Sequence, residues 1–417
     1  MNSDLNYALQ QAKRRDLADP LGDYKAYFEL PDNTVYLDGN SLGPLTHMAR
    51  SRALAVVEQQ WGKDLITSWN RHNWIDLPLR AGEKIAPLIG AAPGQVICCD
   101  SISINLYKLL SAALNMRPER RVVLTTNDNF PTDRYVAEGL NQVNQARSIE
   151  LRSVIESDIY AGIDSDVAVV MLTQVNFRTG NRLNVQLITQ RAHEMGCLII
   201  WDLAHSAGVL PVELDKNQVD FAVGCGYKYL NGGPGAPAFV YVAKRHQENY
   251  QQPIQGWMGH AQPFKFDPKY QAAASVQSNL VGTPSVLSMS VLDAALDVFA
   301  ELDIANIEAK AMALTQWFHQ LLQQAGLSEV FGVVDTFNTQ QSGAQLALRH
   351  PHAYAICQAW IAAGVIADFR APDILRVGFS PLFLSYADLV KAIEKLSDIM
   401  DTSDYLHPQF NQMHAVT

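Results

Sequence analysis

Six short apolar runs set the rhythm of the first 242 residues: QVICC (95–99), RVVLTT (121–126), VAVVMLT (167–173), CLIIWD (197–202), DFAVGC (220–225) and AFVYV (238–242). Within them hydrophobicity is continuous rather than alternating, which marks strands covered on both faces. Helix-compatible stretches separate them, so the pattern predicts an α/β fold whose sheet is mostly parallel. Upstream, residues 44–62 begin with Pro44 after a glycine and carry apolar positions at helical spacing, predicting a helix with proline near its start.

After residue 284 the rhythm changes. Long amphipathic stretches at 285–300 and 303–326 predict helices, followed by short strands near 345–348 and 374–378 and a helix at 386–401. The tail from Asp404 reads as surface-bound or loose. A chain of 417 residues exceeds what one core usually supports, so two domains are expected. The division implied is a large domain over 46–290 and a smaller α+β domain over 291–417, joined by a continuous helix, with residues 1–45 packing on the small domain.

Composition narrows the function. Apolar residues make up 48% and charged residues 18%, so the chain buries a core and folds alone. Lys and Arg total 32 against 42 for Asp and Glu, a net charge of -10 that argues against nucleic-acid and anionic-membrane partners. The N-terminus lacks an apolar signal region, and no stretch approaches the ~20 apolar residues that span a bilayer. The five cysteines, an odd number set mostly in apolar runs, read as reduced thiols of a cytoplasmic protein. HEMGC at 193–197 lacks the second histidine of a zinc helix, and the other histidines show no ligand spacing, so no metal is expected.

The chemistry concentrates at two strand ends. IIWDLAHSAG closes a buried strand with Asp202 and turns into a small-residue loop containing His205. Ligands of open α/β sheets bind at the carboxyl ends of the strands. A carboxylate there calls for a cation, such as a protonated pyridine nitrogen; the lesser alternative is that Asp202 caps a helix. Twenty-six positions on, CGYKYLNGGPGAP places Lys228 between two tyrosines before a glycine-rich loop. Lowering the pKa of such an amine makes it a nucleophile toward an aldehyde cofactor, while the plain alternative is a surface lysine beside a turn.

Together these segments resemble the fold-type-I enzymes that use pyridoxal 5'-phosphate (PLP). The segments DGNSLGP (38–44), NFPTDRY (129–135), DLAHSAG (202–208), YKYLNGGPG (227–235), GWMGH (256–260) and RVGFSPLF (376–383), in that order, resemble the kynureninase family in particular. That resemblance implies that Lys228 carries the cofactor as a Schiff base, Asp202 pairs with the pyridine nitrogen, and His205 supports them. Phe130 would stack on the ring within the turn that also holds Pro131, Thr132 and Asp133, with Asp133 near the ring's polar groups or acting as a cap. Ile102 and Ser103, at a predicted helix N-terminus, and the hydroxyl of Tyr227 would hold the phosphate. Tyr227 would also take part in proton transfer, and Thr173 would neighbour the cofactor. Trp257 and Thr283 would reach the phosphate of a second subunit, implying a homodimer with shared sites.

Arg376 would grip the α-carboxylate of the substrate with its planar fork, where a strand arginine is otherwise a surface residue, and Asn40 and Ser41 would line the same pocket. The implied reaction is hydrolysis of L-kynurenine to anthranilate and L-alanine, with the cofactor as electron sink, in tryptophan catabolism or NAD biosynthesis. Thr283, in place of the asparagine of animal-type members, favours kynurenine over its 3-hydroxy form. The alternatives are cysteine desulfuration or transamination on the same fold, or a PLP-fold protein that binds without turnover. Desulfuration needs a mobile cysteine, yet Cys357 sits in a helical pattern.

Overall fold

The computed structural model describes residues 3–143, 148–333 and 341–413, which form two compact units. One comprises Met48–Asn176 and Leu183–Ala300; the other comprises Met1–His47, Phe177–Arg182 and Glu301–Thr417. These limits depart from the 46–290 division by the segment Phe177–Arg182 and by running on to Ala300.

In the larger unit, all six apolar runs are strands of one seven-stranded sheet. Side by side lie Val96–Cys98, Ala238–Val242, Phe221–Cys225, Leu198–Asp202, Val167–Thr173, Val122–Thr126 and Glu150–Val154. Five strands, from Phe221–Cys225 outward to Glu150–Val154, run parallel, and only Ala238–Val242 runs against its neighbours. The sheet is thus mostly parallel, and the carboxyl ends of its parallel strands share one edge. Glu150–Val154 (ELRSV) gave no apolar signal because it is an edge strand, none of whose residues is fully buried. The helix Ile102–Asn115 shows why the core is continuous: Leu106, Leu109, Leu110, Ala112 and Ala113 are buried with strand residues such as Val123, Val169 and Val223.

Two expectations are corrected. The helix foreseen from Pro44 starts at His47, because Thr46 is held in an antiparallel bridge to Phe28, and after Ala55 it widens into a π-type turn over Val56–Trp61. The helices expected at 285–300 and 303–326 are both present, but the division at Ala300 falls in the turn between them and not inside a continuous joining helix. Val286–Ala295 tightens into a 3-10 turn at Leu296–Phe299, and Asp303 then caps a new helix, Ile304–Gln324, by accepting from Ala305 N at 2.9 Å.

In the smaller unit an antiparallel sheet runs Asp368–Arg370, Ile374–Gly378, Gln345–Arg349 and Gly332–Val333. The N-terminal helix Ser3–Leu17 lies against the last helix, Tyr386–Thr402. The carboxylate of Asp16 accepts from the backbone N–H of Tyr386 at 2.7 Å and of Ala387 at 3.1 Å, satisfying donors the last helix cannot. The tail after Asp404 forms two short 3-10 turns, and Tyr354 donates to the carbonyl of Gln412 at 2.8 Å; residues 414–417 of that tail lie outside the described residues. No helix among the described residues is long and apolar enough to cross a membrane.

At the amino-terminal edge of the large sheet, buried Asp220 pins three segments. It accepts from His193 at 2.9 Å, His246 at 2.7 Å, Arg245 at 2.6 Å and the backbone of Ile199 at 2.9 Å. Burial disfavours its charge, but the hydrogen bonds and charges of the histidines outweigh that and hold the carboxyl well below its usual range. Asp220→Ala is expected to cost about 2–3 kcal/mol, less than for a wholly buried pair because Arg245 and His193 reach water. Since the folded pKa lies below the unfolded one of ~3.9, this stabilisation is complete at neutral pH and fades as the pH falls below about 4. Denaturant midpoints of wild type and variant from pH 3 to 7 should therefore converge only at the acid end.

Candidate active site

Two groups of predicted residues are assembled, one in each unit. In the larger unit the group lies at the carboxyl edge of the parallel strands. Thr173 and Asp202 end adjacent strands and are register partners. Past Asp202 the chain turns at once: Ala204 N–H donates to the Asp202 carboxylate at 2.7 Å, and Leu203 N–H to Val223 O at 2.8 Å. This is a local turn rather than the helix cap allowed by the sequence. Gly208, at φ +88°, lets the turn approach the next loop so closely that a Cβ would meet Leu230 at 2.9 Å and Tyr229 O at 3.3 Å. That contact sets His205 against Lys228, whose Nζ lies 2.9 Å from His205 Nε2. Lys228 itself rides on a turn closed by Gly232 N–H donating to Gly226 O at 2.8 Å.

Asp133 sits in the first turn of the helix Pro131–Val143, but its carboxyl is fully buried beside Thr173, whose hydroxyl lies 3.3 Å from Oδ2. Asn129, which the sequence reading passed over, ties the layer together. It donates to Thr125 Oγ1 at 2.9 Å and accepts from the Thr173 hydroxyl and from Phe130 N–H at 2.8 Å. The only sequence signal was its place before FPTD in a turn. Phe130 is 41% exposed. Pro131 and Thr132 open the helix behind it, and Ile102 and Ser103 open the helix Ile102–Asn115 after the N-cap Ser101.

Burial and the neighbouring charge of Asp202 drive the Asp133 carboxyl well above its usual range, against hydrogen bonds from Thr173 and Asn129 and the charge of Lys228. Burial likewise pushes Asp202 up to about 6, opposed by the Ala204 N–H and by Lys228. Burial holds the Tyr227 hydroxyl above its usual range, so it stays protonated at neutral pH. Two buried carboxyls share one nearby amine. Asp133 Oδ1 has no hydrogen-bond partner among the described residues. A cationic ring N–H with polar substituents supplies what this layer lacks, so these residues fit the cofactor implied by the sequence.

Trp257 and Thr283 lie apart from this layer. Trp257 is 40% exposed, stacked on Phe266 with centroids 6.1 Å apart, and Thr283 is exposed in a loop.

The smaller unit carries the second group. Arg376 is 1% exposed, and its fork is already engaged: Nε donates to Asp368 Oδ1 at 2.9 Å, Nη2 donates to Asp368 Oδ2 and to Ser41 Oγ, and Nη1 donates to Phe177 O. The edge expected to face a substrate carboxylate therefore faces Asp368, its register partner on the neighbouring strand. Arg370, two residues from Asp368 on the same face, also donates to it, at 2.6 Å. Burial and the Asp368 charge raise Asp38 to about 7, against Arg376, Ser41 and Arg370. Asn40 is completely buried behind Gly378, whose Cβ would lie 2.0 Å from Asn40 Oδ1, so it supports the strand of Arg376 from behind. Asp368 and Arg370 were missed, although D-x-R in ADFRAP is the alternation that puts both on one face.

A mostly parallel sheet with a lysine, a histidine and paired carboxyls at its carboxyl edge defines the class as a fold-type-I PLP-dependent enzyme. Solved structures support the fold: an apo cysteine desulfurase from Thermococcus onnurineus NA1 (TM-score 0.75, 14% identity, 91% of this chain and 97% of that one) and a cystine C-S lyase complexed with cysteine persulfide (TM-score 0.76, 16% identity, 88% and 98%). Residues 307–396 match the family model described as kynureninase C-terminal domain. Kynureninases of Burkholderia pseudomallei (strain 1106a) and Pseudomonas fluorescens are 45% and 42% identical, covering 98% and 96% of this chain and 99% and 98% of the relatives. The chain belongs to the kynureninase family.

The site makes a pH-dependent prediction. In the cofactor-free protein the raised pKa of Asp202 means that its ionisation opposes folding, by nothing below pH ~4 and in full above its folded pKa. Asp202→Asn should therefore stabilise the cofactor-free protein by about 2–3 kcal/mol at pH 8 and not at pH 4. Urea midpoints at both pH values check this, and a destabilised variant at pH 8 would contradict it.

Proposed function

We propose that this chain hydrolyses L-kynurenine to anthranilate and L-alanine with PLP linked to Lys228. The observation that carries the reading is its relationship to curated kynureninases over 96–98% of its length. When bound, the cofactor supplies an electron sink that lets bonds at the α- and β-carbons of an amino-acid substrate break heterolytically.

The chain's own residues do the rest. Asp202 holds the positive charge of the ring nitrogen, and Asp133, Thr173 and Asn129 complete the polar layer around it. Phe130, with Pro131 and Thr132 behind it, covers a ring face. The helix N-terminus at Ile102 and Ser103 and the Tyr227 hydroxyl hold the phosphate. The amine of Lys228 would take the α-proton of the substrate, with His205 2.9 Å away to hold it in place. Tyr227, kept neutral by burial, can donate a proton to the carbon that becomes the alanine methyl group. Arg376 binds the α-carboxylate, with Arg370 beside it and Ser41 fixing the guanidinium; Asn40 backs its strand.

The large domain, 46–290, carries the cofactor, and 291–417 with 1–45 carries Arg376. Trp257 and Thr283 serve the phosphate of a second copy in a cytoplasmic homodimer, and Thr283 favours kynurenine over the 3-hydroxy substrate. Cysteine desulfuration, the activity named for some fold neighbours, is disfavoured because all five cysteines are buried. Cys357 lies inside a helix with its Sγ 3.4 Å from Ala367 O, and burial drives its thiol pKa up.

Purified protein given PLP and L-kynurenine should release fluorescent anthranilate, and Lys228→Ala should lower that rate by roughly 10²–10⁴-fold or more. PLP-loaded protein that releases none would refute the reaction. Arg376→Lys keeps the charge but loses the fork, so KM should rise roughly 10- to 100-fold with kcat much less affected; an unchanged KM would remove Arg376 from substrate binding.

A further inference from the structure

Lys108 is completely buried in the helix Ile102–Asn115, and nothing in the reaction above uses it. Its Nζ donates to the Asp100 carboxylate, to Asn279 O at 2.7 Å and to Asn105 Oδ1 at 3.3 Å, and lies 3.8 Å from Cys99 Sγ. A buried ion pair of this kind adds little net stability over an apolar replacement. What Lys108 joins is more specific.

On one side stands the phosphate turn. Asp100, in the left-handed region at φ +46°, bends the chain from the strand Val96–Cys98 into the helix that begins at Ile102 and Ser103, and its carbonyl accepts from Ala238 N–H at 2.9 Å. On the other side stands Asn279. It is fully buried, its side chain accepts from the Tyr250 hydroxyl at 2.7 Å and donates to Val276 O at 3.1 Å, and it ends the 3-10 turn that leads to Val281 and Thr283. The segment of Trp257 is fastened to the same place. Met258 N–H donates to Val281 O at 3.3 Å, and Gly256 packs so closely that a Cβ there would lie 2.0 Å from Val281 O. Trp257 and Thr283 thus stand on one platform, and Lys108 ties that platform to the phosphate turn.

We infer that Lys108 is a positioning residue that couples the phosphate turn of its own site to the Trp257–Thr283 platform serving the site of a second copy. The inference rests on the reading above that PLP and a second copy complete the site. Coupling of this kind is reciprocal: PLP binding tightens self-association, and self-association tightens PLP binding, by the same factor.

The test measures the dimer dissociation constant by sedimentation equilibrium, with and without saturating PLP, and the PLP affinity by absorbance titration of the cofactor-free protein. In the wild type PLP should tighten dimerisation by about 5- to 150-fold. In Lys108→Met, which fills the space without the donors, both partners still bind but the factor should fall at least several-fold below the wild-type value, the remainder coming from the direct reach of Trp257 and Thr283 to the phosphate of the second copy. Asp100→Asn, which weakens the pair from its partly exposed side, should lower the factor in the same direction and carries the test if Lys108→Met does not fold. A wild-type factor in the variant that folds overturns the inference, as does a uniform loss of thermal stability with the factor intact, the mark of a merely structural lysine. A wild-type protein that binds PLP without dimerising, or does not bind it, overturns the shared-site reading and the inference with it.

Discussion

Two carboxyl groups, Asp202 and Asp133, are buried in one layer of side chains at the carboxyl edge of the large sheet, and a pair of buried acids cannot both ionise cheaply without a cation. The local architecture answers to that constraint. Thr173 ends its strand beside Asp202 and offers its hydroxyl to Asn129 and Asp133. The glycine at 208 brings two loops together so that Lys228 and His205 face this layer. The protein alone leaves the charge balance open, since the carboxyls still lie above their usual range with Lys228 close by. A ligand bringing a cationic ring N–H would close it.

The group around Arg376 solves the opposite problem. Two guanidinium groups share one ionised partner, Asp368, whose carboxyl they hold below its usual range against burial. The second acid, Asp38, is raised to about 7 by burial and by the charge of Asp368, against Arg376 and Arg370. Arg376 is held fixed by Asp368, Ser41 and the Phe177 carbonyl, whereas the side chain of Arg370 is about one-third exposed.

The sheet was legible because its strands are covered on both faces and read as unbroken apolar runs. Glu150–Val154 escaped because an edge strand needs no such run. Asp202 was legible as a candidate because a charged residue closing an apolar strand demands a reason, and Lys228 because it follows the next strand between two tyrosines and before a glycine-rich loop. Asn129, Asp368 and Arg370 were not, since each works by hydrogen-bonding a group distant in sequence: Asn129 reaches Thr173, 44 positions away, and Asp368 gains its meaning from strand pairing with Arg376. The starting point of the helix at His47 was likewise set by a bridge rather than by periodicity.

Lys228 is the amine proposed to hold the cofactor, and every other proposed role in the site follows from that bond. Reducing the PLP-loaded protein with borohydride, digesting it and mapping the pyridoxyl-lysine by mass spectrometry tests this without recourse to turnover. A single adduct on Lys228 is the predicted result. An adduct on another lysine, or loaded protein that retains no adduct after reduction, would contradict it.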